Sequence, residues 1–287
     1  MRPELPPVII LGAARSGTRL LREAFAASGE LAVVPHDVNF IWRTGNEHCS
    51  HDALDPAWCS PRIAAVIRRD LRRAARPAAT AGGGRLLEKT VSNALRVDFV
   101  TRVFPDATLV HLVRDGRAVV ASSRRQWLGE SDTGRPLAKL RAVPWRNLRY
   151  FAWSARNRLW GSAARDGRIA IWGVRYPGIE TDLRHSSVAE VCARQWVASV
   201  QGVRTSAAFS GGAGMVELRY EDMVAEPDSL AAVARRIGLA DPQAVATRLR
   251  ELRRAGPARD WREGMTDAEW AGASRIIEPL RSELGYR

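Results

Sequence analysis

The 287-residue sequence has little lysine, little cysteine and no long apolar run. Lysine occurs only at Lys89 and Lys139, so all but two of the 44 basic residues are arginine. Cys49, Cys59 and Cys192 are too few, and odd in number, for the disulfide framework of a secreted scaffold, and they fit a reducing compartment. No apolar run approaches the roughly 20 residues of a membrane-spanning helix. Met1 to Pro7 lacks the apolar stretch of a signal peptide. The expectation is a cytoplasmic protein, with peripheral membrane contact left open. No run of five or six basic residues occurs either. The net charge of +13 therefore reads as an arginine-biased surface with local anion sites, and no nucleic-acid partner is expected. His48, Cys49, His51 and Cys59 are of zinc-ligating types, but their spacing is not that of a zinc site, and no metal is expected.

What is present is a globular balance: 46% hydrophobic and 26% charged residues can bury a large core. Val8 to Leu11 is a short apolar run followed by glycine and then by a helical pattern, with Leu20, Leu21, Ala24 and Phe25 on one face. Leu31 to Val34, Arg85 to Glu88 and Thr108 to Val113 read as further strands. Ser92 is expected to cap a helix bearing Leu95, Phe99 and Val103, and a helix opens at Asp115. The alternation predicts one α/β domain over residues 1–287, with a mostly parallel sheet covered by helices on both faces. Residues 127 to 208 interrupt it. They hold six of the ten tryptophans, a turn at Tyr176-Pro177-Gly178 and an expected long helix from Val188 to Ala208, and read as an acceptor-side helical insertion. Trp127, Trp145, Trp153, Trp160, Trp172 and Trp196 are expected in core and lid packing. A last strand, Met215 to Tyr220, and C-terminal helices close the domain.

Ligands of such sheets sit beyond the carboxyl ends of the strands. After the first strand comes Gly12-Ala13-Ala14-Arg15-Ser16-Gly17-Thr18-Arg19, with a helix starting near Gly17. Glycines let backbone N–H groups approach a phosphate, and the helix N-terminus adds partial positive charge. The spacing starts like a P-loop, yet Thr18 stands at the P-loop lysine position. A kinase needs that lysine and Mg²⁺ at the phosphates, so the departure argues against a P-loop-type small-molecule kinase. That kinase, and a nucleotide- or RNA-binding module without chemistry, remain the alternatives.

Arg15-Ser16-Gly17-Thr18 after a first strand resembles the 5′-phosphosulfate loop of sulfotransferases that use 3′-phosphoadenosine-5′-phosphosulfate (PAPS). Leu112 to Ser122 resembles that family's 3′-phosphate element, with Arg114 at the strand end and Ser122 eight residues on. Eight helical residues rise about 12 Å, so only the long reach of arginine lets the two share one phosphate. Glu88-Lys89-Thr90, Arg219 to Met223 with Tyr220, and Trp261-Arg262-Glu263-Gly264 follow in the family's order. Several relatives have a basic residue where this chain has Glu263, which leaves Arg262 the better candidate.

The resemblance implies a P-loop-like sulfotransferase fold and sulfuryl transfer from PAPS, a co-substrate, to a hydroxyl in preference to an amine. The product is adenosine 3′,5′-bisphosphate and no metal is required. It implies that Ser16, Gly17, Thr18 and Arg19 hold the 5′-phosphate, that Arg114 and Ser122 hold the 3′-phosphate, and that Tyr220, Trp261 and Arg262 complete the nucleotide site. Arg15 and Lys89 would stabilise the transferring group. Lys89 stands out on its own, since a chain built on arginine keeps a compact ammonium at a strand end; the plainer reading is an ion pair with Glu88. His36 and Asp37 follow the second strand, where relatives carry a glutamate base, and are the candidate bases. The acceptor, whether small molecule, glycan, lipid or peptide, is not legible.

Overall fold

The computed structural model describes residues 5–75, 84–129, 171–211, 215–253, 261–262 and 264–286. Most of the tryptophan-rich insertion, with Trp145, Trp153 and Trp160, lies outside the described residues, as does Glu263. Five parallel strands form one sheet: β1 (Val8–Leu11), β2 (Leu31–Val33), β3 (Arg85–Glu88), β4 (Thr108–Val113) and β5 (Met215–Arg219), in the order β2-β3-β1-β4-β5. β1 pairs with β3 on one side, Val8 opposite Leu87, and with β4 on the other, Leu11 opposite His111.

The central strands β1 and β4 are short, nearly unbroken apolar runs because both faces are covered, whereas the edge strand β5 is only partly buried. Period-two alternation sends Ile9, Leu11, Leu86 and Leu109 to a face covered by α2 (Asn39–Trp42), α3 (Pro61–Ala74) and α4 (Val97–Val103). It sends Val8, Ile10, Leu87 and Val110 to the other face, against Leu21, Ala24 and Phe25 of α1 (Thr18–Phe25). Each such fully buried Leu or Ile contributes roughly 1.5–3 kcal/mol relative to exposure. A third cluster joins α5 (Gly116–Trp127), α6 (Ile179–His185), α7 (Val188–Arg204) and α12 (Asp267–Glu283) around Trp127, Trp196 and Ile277. In chain order α8 (Ala207–Ser210), α9 (Tyr220–Ala225), α10 (Pro227–Arg236) and α11 (Pro242–Leu252) lie between α7 and α12.

Two local expectations are corrected. Ser92 does not cap a helix. It lies inside a 3-10 turn, Val91–Leu95, and its hydroxyl donates to the buried Asp52 carboxylate at 2.8 Å, a charged acceptor that outcompetes a cap; α4 begins only at Val97. The long helix predicted to Ala208 stops at Arg204, where the Ser206 hydroxyl accepts from the Phe209 N–H and starts the separate short helix α8.

From β1 the chain crosses to the edge strand β2 and returns to β3 beside β1, then crosses to β4 on the other side of β1 and outward to β5. The switch point is the β1/β4 boundary, and the carboxyl ends of those strands open the crevice where doubly wound sheets bind ligands.

Candidate active site

The loop leaving β1 is held tight by the strand beside it. A Cβ on Gly12 would stand 2.6 Å from the Leu112 carbonyl of β4, and one on Gly17, at φ +97°, would stand 2.5 Å from the Tyr220 ring. Arg15 has φ 69°, the single positive φ outside glycine among the described residues, a strain of order 1–3 kcal/mol. The Ser16 hydroxyl and N–H both point back to the Ala13 carbonyl. The Ser16 N–H is therefore committed to the turn, which shortens the predicted donor run by one. Gly17 caps α1, no side chain fills the cap and no acid lies in the first turn. The N–H groups of Gly17, Thr18, Arg19 and Leu20 thus have no helical partner and form a site for an anion. The Arg19 side chain is 80% exposed and paired with Glu23 at 2.9 Å, so it serves the helix surface.

The β4–α5 turn meets this loop. Asp115 caps α5 by accepting from the Arg117 N–H at 2.9 Å, and the buried Arg281 guanidinium donates to the same carboxylate at 2.8 Å. Burial opposes its ionisation, yet the Arg117 and Arg281 bonds hold it below its ordinary value. Arg114 lies over the Tyr220 ring at 4.1 Å and donates from Nη1 to the Arg15 carbonyl at 3.1 Å, while its Nε is buried without a hydrogen-bond partner. Arg15 Nε donates to the Ser122 hydroxyl at 2.9 Å. Arg15, Ser122 and Arg114, read as parts of two cradles, are thus joined in one. Trp261 stacks on Trp270 at 4.1 Å, with the guanidinium groups of Arg262 and Arg117 4.5 and 5.3 Å from its ring. The C-terminal segment is thereby brought to the start of α5.

The third part lies beyond β2 and β3. Arg22 of α1, almost buried, donates to the Pro35 carbonyl at 2.6 Å and fixes the start of the loop that carries His36 and Asp37, both half-buried. Lys89, 7% exposed, is ion-paired with Asp37. The plainer reading of Lys89 as a surface partner of Glu88 is therefore wrong. The Glu88 carboxyl is fully buried and accepts from the Thr90 hydroxyl at 2.5 Å and from Asn93 Nδ2 at 2.9 Å. Asp52 ties the following segment down, accepting from Asn39, Arg43, Ser92 and the Arg175 N–H at 2.8–3.0 Å. Although burial raises its pKa, the Arg96 charge and these donors leave its carboxylate below the ordinary range. His48 Nε2 lies 3.8 Å from Cys49 Sγ, and no group of three or more potential metal ligands occurs among the described residues.

Sequence reasoning missed Arg22, Asp52, Arg117 and Arg281. Arg22 left a signal: an arginine next to Leu21 and three residues before Phe25, on the apolar side of an amphipathic helix, needs buried acceptors.

A model of a sulfotransferase family matches residues 6–177, more than half of the chain, and the chain belongs to that family. Among solved structures it is similar to a sulfotransferase from Mycobacterium avium, with 13% identity over 98% of this chain and 77% of that one at a TM-score of 0.52; the likeness shows the P-loop-like sulfotransferase fold. It is also similar to the sulfotransferase domain of the Synechococcus PCC 7002 olefin synthase, with 17% identity, 98% and 96% coverage and a TM-score of 0.49. No protein of curated function matches the sequence.

Proposed function

We propose that the chain transfers a sulfuryl group from PAPS to a hydroxyl acceptor and releases adenosine 3′,5′-bisphosphate. The observation that carries this reading is the joined cradle of the β1 and β4 loops. Gly12 and Gly17 leave no room for a Cβ, the α1 N-terminus is open, and the Arg114 Nε is buried and unpartnered. That chemistry suits a ligand with phosphate at two ends, one on the N–H groups from Gly17 to Leu20 and one near Arg114 and Ser122. Trp261 and Arg262, near the start of α5, are the candidates for contact with the base.

In the reaction the acceptor oxygen attacks sulfur, the bond from sulfur to the bridging oxygen breaks, and the acceptor proton passes to a base. Asp37 fills that role in preference to His36, because its carboxylate is already held at Lys89. Lys89 and Arg15 neutralise charge on the sulfuryl group and on the bridging oxygen, so catalysis is chiefly placement and electrostatics. We place the reaction in the cytoplasm, which suits three free cysteines, with a small molecule, glycan, lipid or peptide as acceptor. No helix of the described residues is long and apolar enough to cross a membrane.

The test is thermal. Adenosine 3′,5′-bisphosphate should raise Tm more than ATP or ADP does, without Mg²⁺, since ligand held only by the native state stabilises it by mass action. Equal shifts from ATP and the bisphosphate would reject the reading.

A further inference from the structure

The Lys89–Asp37 pair rests on a buried hydrogen-bond chain that nothing in the transfer chemistry requires. The Val38 N–H, next to Asp37, donates to the Thr90 hydroxyl at 3.0 Å, and that hydroxyl donates to Glu88. Asn93 donates to the other Glu88 oxygen and accepts from Arg96 Nε at 3.0 Å. Arg96 in turn donates to Asn39 Oδ1 at 2.6 Å, which closes the chain on the far side of Val38. Glu88, Thr90 and Asn93 are all 0% exposed, so water does not compete for the bonds that Glu88 receives from Thr90 and Asn93.

We propose that Glu88 is a positioning residue which, through Thr90, holds the Asp37 loop against Lys89 and so sets the geometry of base and cation. The inference deepens the proposed sulfuryl transfer and rests on it. Asp37 on the loop after β2, Lys89 just past the end of β3, Arg22 on α1 and Arg96 at the start of α4 are the charged groups around Glu88. Burial pushes the Glu88 carboxyl up to about 7, with the Asp37 charge adding to the rise and the Thr90 hydroxyl and the Lys89 ammonium opposing it. A raised pKa in the folded state favours the protonated form. Its contribution to stability is full below the ordinary glutamate value and is lost as pH rises through about 7.

The scarcity of lysine makes the test direct. In protein labelled at lysine Cε, only Lys89 and Lys139 give signals, and Lys139→Arg assigns them. The Lys89 signal of the wild type should show an inflection near pH 7 that Glu88→Gln abolishes and Thr90→Val keeps. Both variants should release sulfate from PAPS, with water as acceptor, about ten- to a hundredfold more slowly in single turnover, with bisphosphate affinity unchanged. A Lys89 inflection that survives Glu88→Gln, or wild-type release by both variants, overturns the proposal. If Glu88→Gln does not fold, Thr90→Val and the wild-type titration still decide it. Wild-type protein that binds no bisphosphate would reject the transferase reading instead, while the Lys89 titration would still report whether Glu88 governs the pair.

Discussion

The two halves of the site handle charge in opposite ways. On the β1/β4 side, Arg114 meets an aromatic ring and a carbonyl and Arg15 donates to the Ser122 hydroxyl, while the Asp115 carboxylate behind them is matched by Arg117 and Arg281. Among the described residues no carboxylate pairs with Arg114, and its positive charge remains for a ligand. On the β2/β3 side the charges are matched from within, Lys89 by Asp37 and Arg43 by Asp52, with Glu88 supplied by two neutral donors. One half presents open backbone N–H groups and, among the described residues, a guanidinium without a carboxylate partner; the other holds Asp37 and Lys89 against each other, because a buried unpaired charge is costly. At position 89 an arginine would not reproduce the contact with Asp37, since a planar fork is larger and aims its donors differently from an ammonium.

The comparison breaks most sharply at Lys89. Lys89→Ala should lose on the order of 10² to 10³ in turnover, the usual cost of deleting one contact to transition-state charge, while bisphosphate affinity stays at the wild-type value. Lys89→Arg should restore little of the loss, and single-turnover transfer at the wild-type rate by that variant would refute the argument. On the other half the effect is smaller and falls on binding. Arg114→Ala removes one charge-assisted contact and should weaken adenosine 3′,5′-bisphosphate by about ten- to a hundredfold, with adenosine 5′-phosphate scarcely affected. Calorimetric titration with the two ligands reads this difference, and an equal loss for both would show that Arg114 does not select the 3′-phosphate.

The geometry of the β1/β4 loops was the more legible of the two halves, for a physical reason. A phosphate cradle is made of backbone, and glycine spacing after an apolar run encodes backbone directly; Gly12, Gly17 and Arg114 could be placed by counting. The central strands were legible too, because both faces of β1 and β4 are buried and their apolar runs are nearly continuous. The β2/β3 half depends on contacts between residues far apart in sequence. Asp37 and Lys89 were each singled out, but their pairing comes from β2 and β3 lying side by side, with Leu31 opposite Arg85. Asp52 reads as an ordinary loop acid until Arg43, Ser92 and Arg175 converge on it. Ser92 was misread as a cap for the same reason: a cap is local, and its partner is 40 residues away.

The smallest effect tests how the β1/β4 half is braced. Gly17 meets two demands at once: a left-handed backbone, and an absent side chain where the Tyr220 ring lies. Gly17→Ala violates both and should cost about 1–3 kcal/mol, a fall of several degrees in Tm for a chain of this size. The two costs separate in a double-mutant cycle. Tyr220→Ala removes the ring, and with it the brace over Arg114, but leaves the backbone angle unchanged. If the ring clash dominates, Gly17→Ala should cost markedly less in the Tyr220→Ala background than in the wild type, a coupling of about 0.5 kcal/mol or more. Strict additivity of the two losses in thermal melts would mean that the glycine is needed for its φ alone, and that Tyr220 shapes the β1/β4 half only through Arg114.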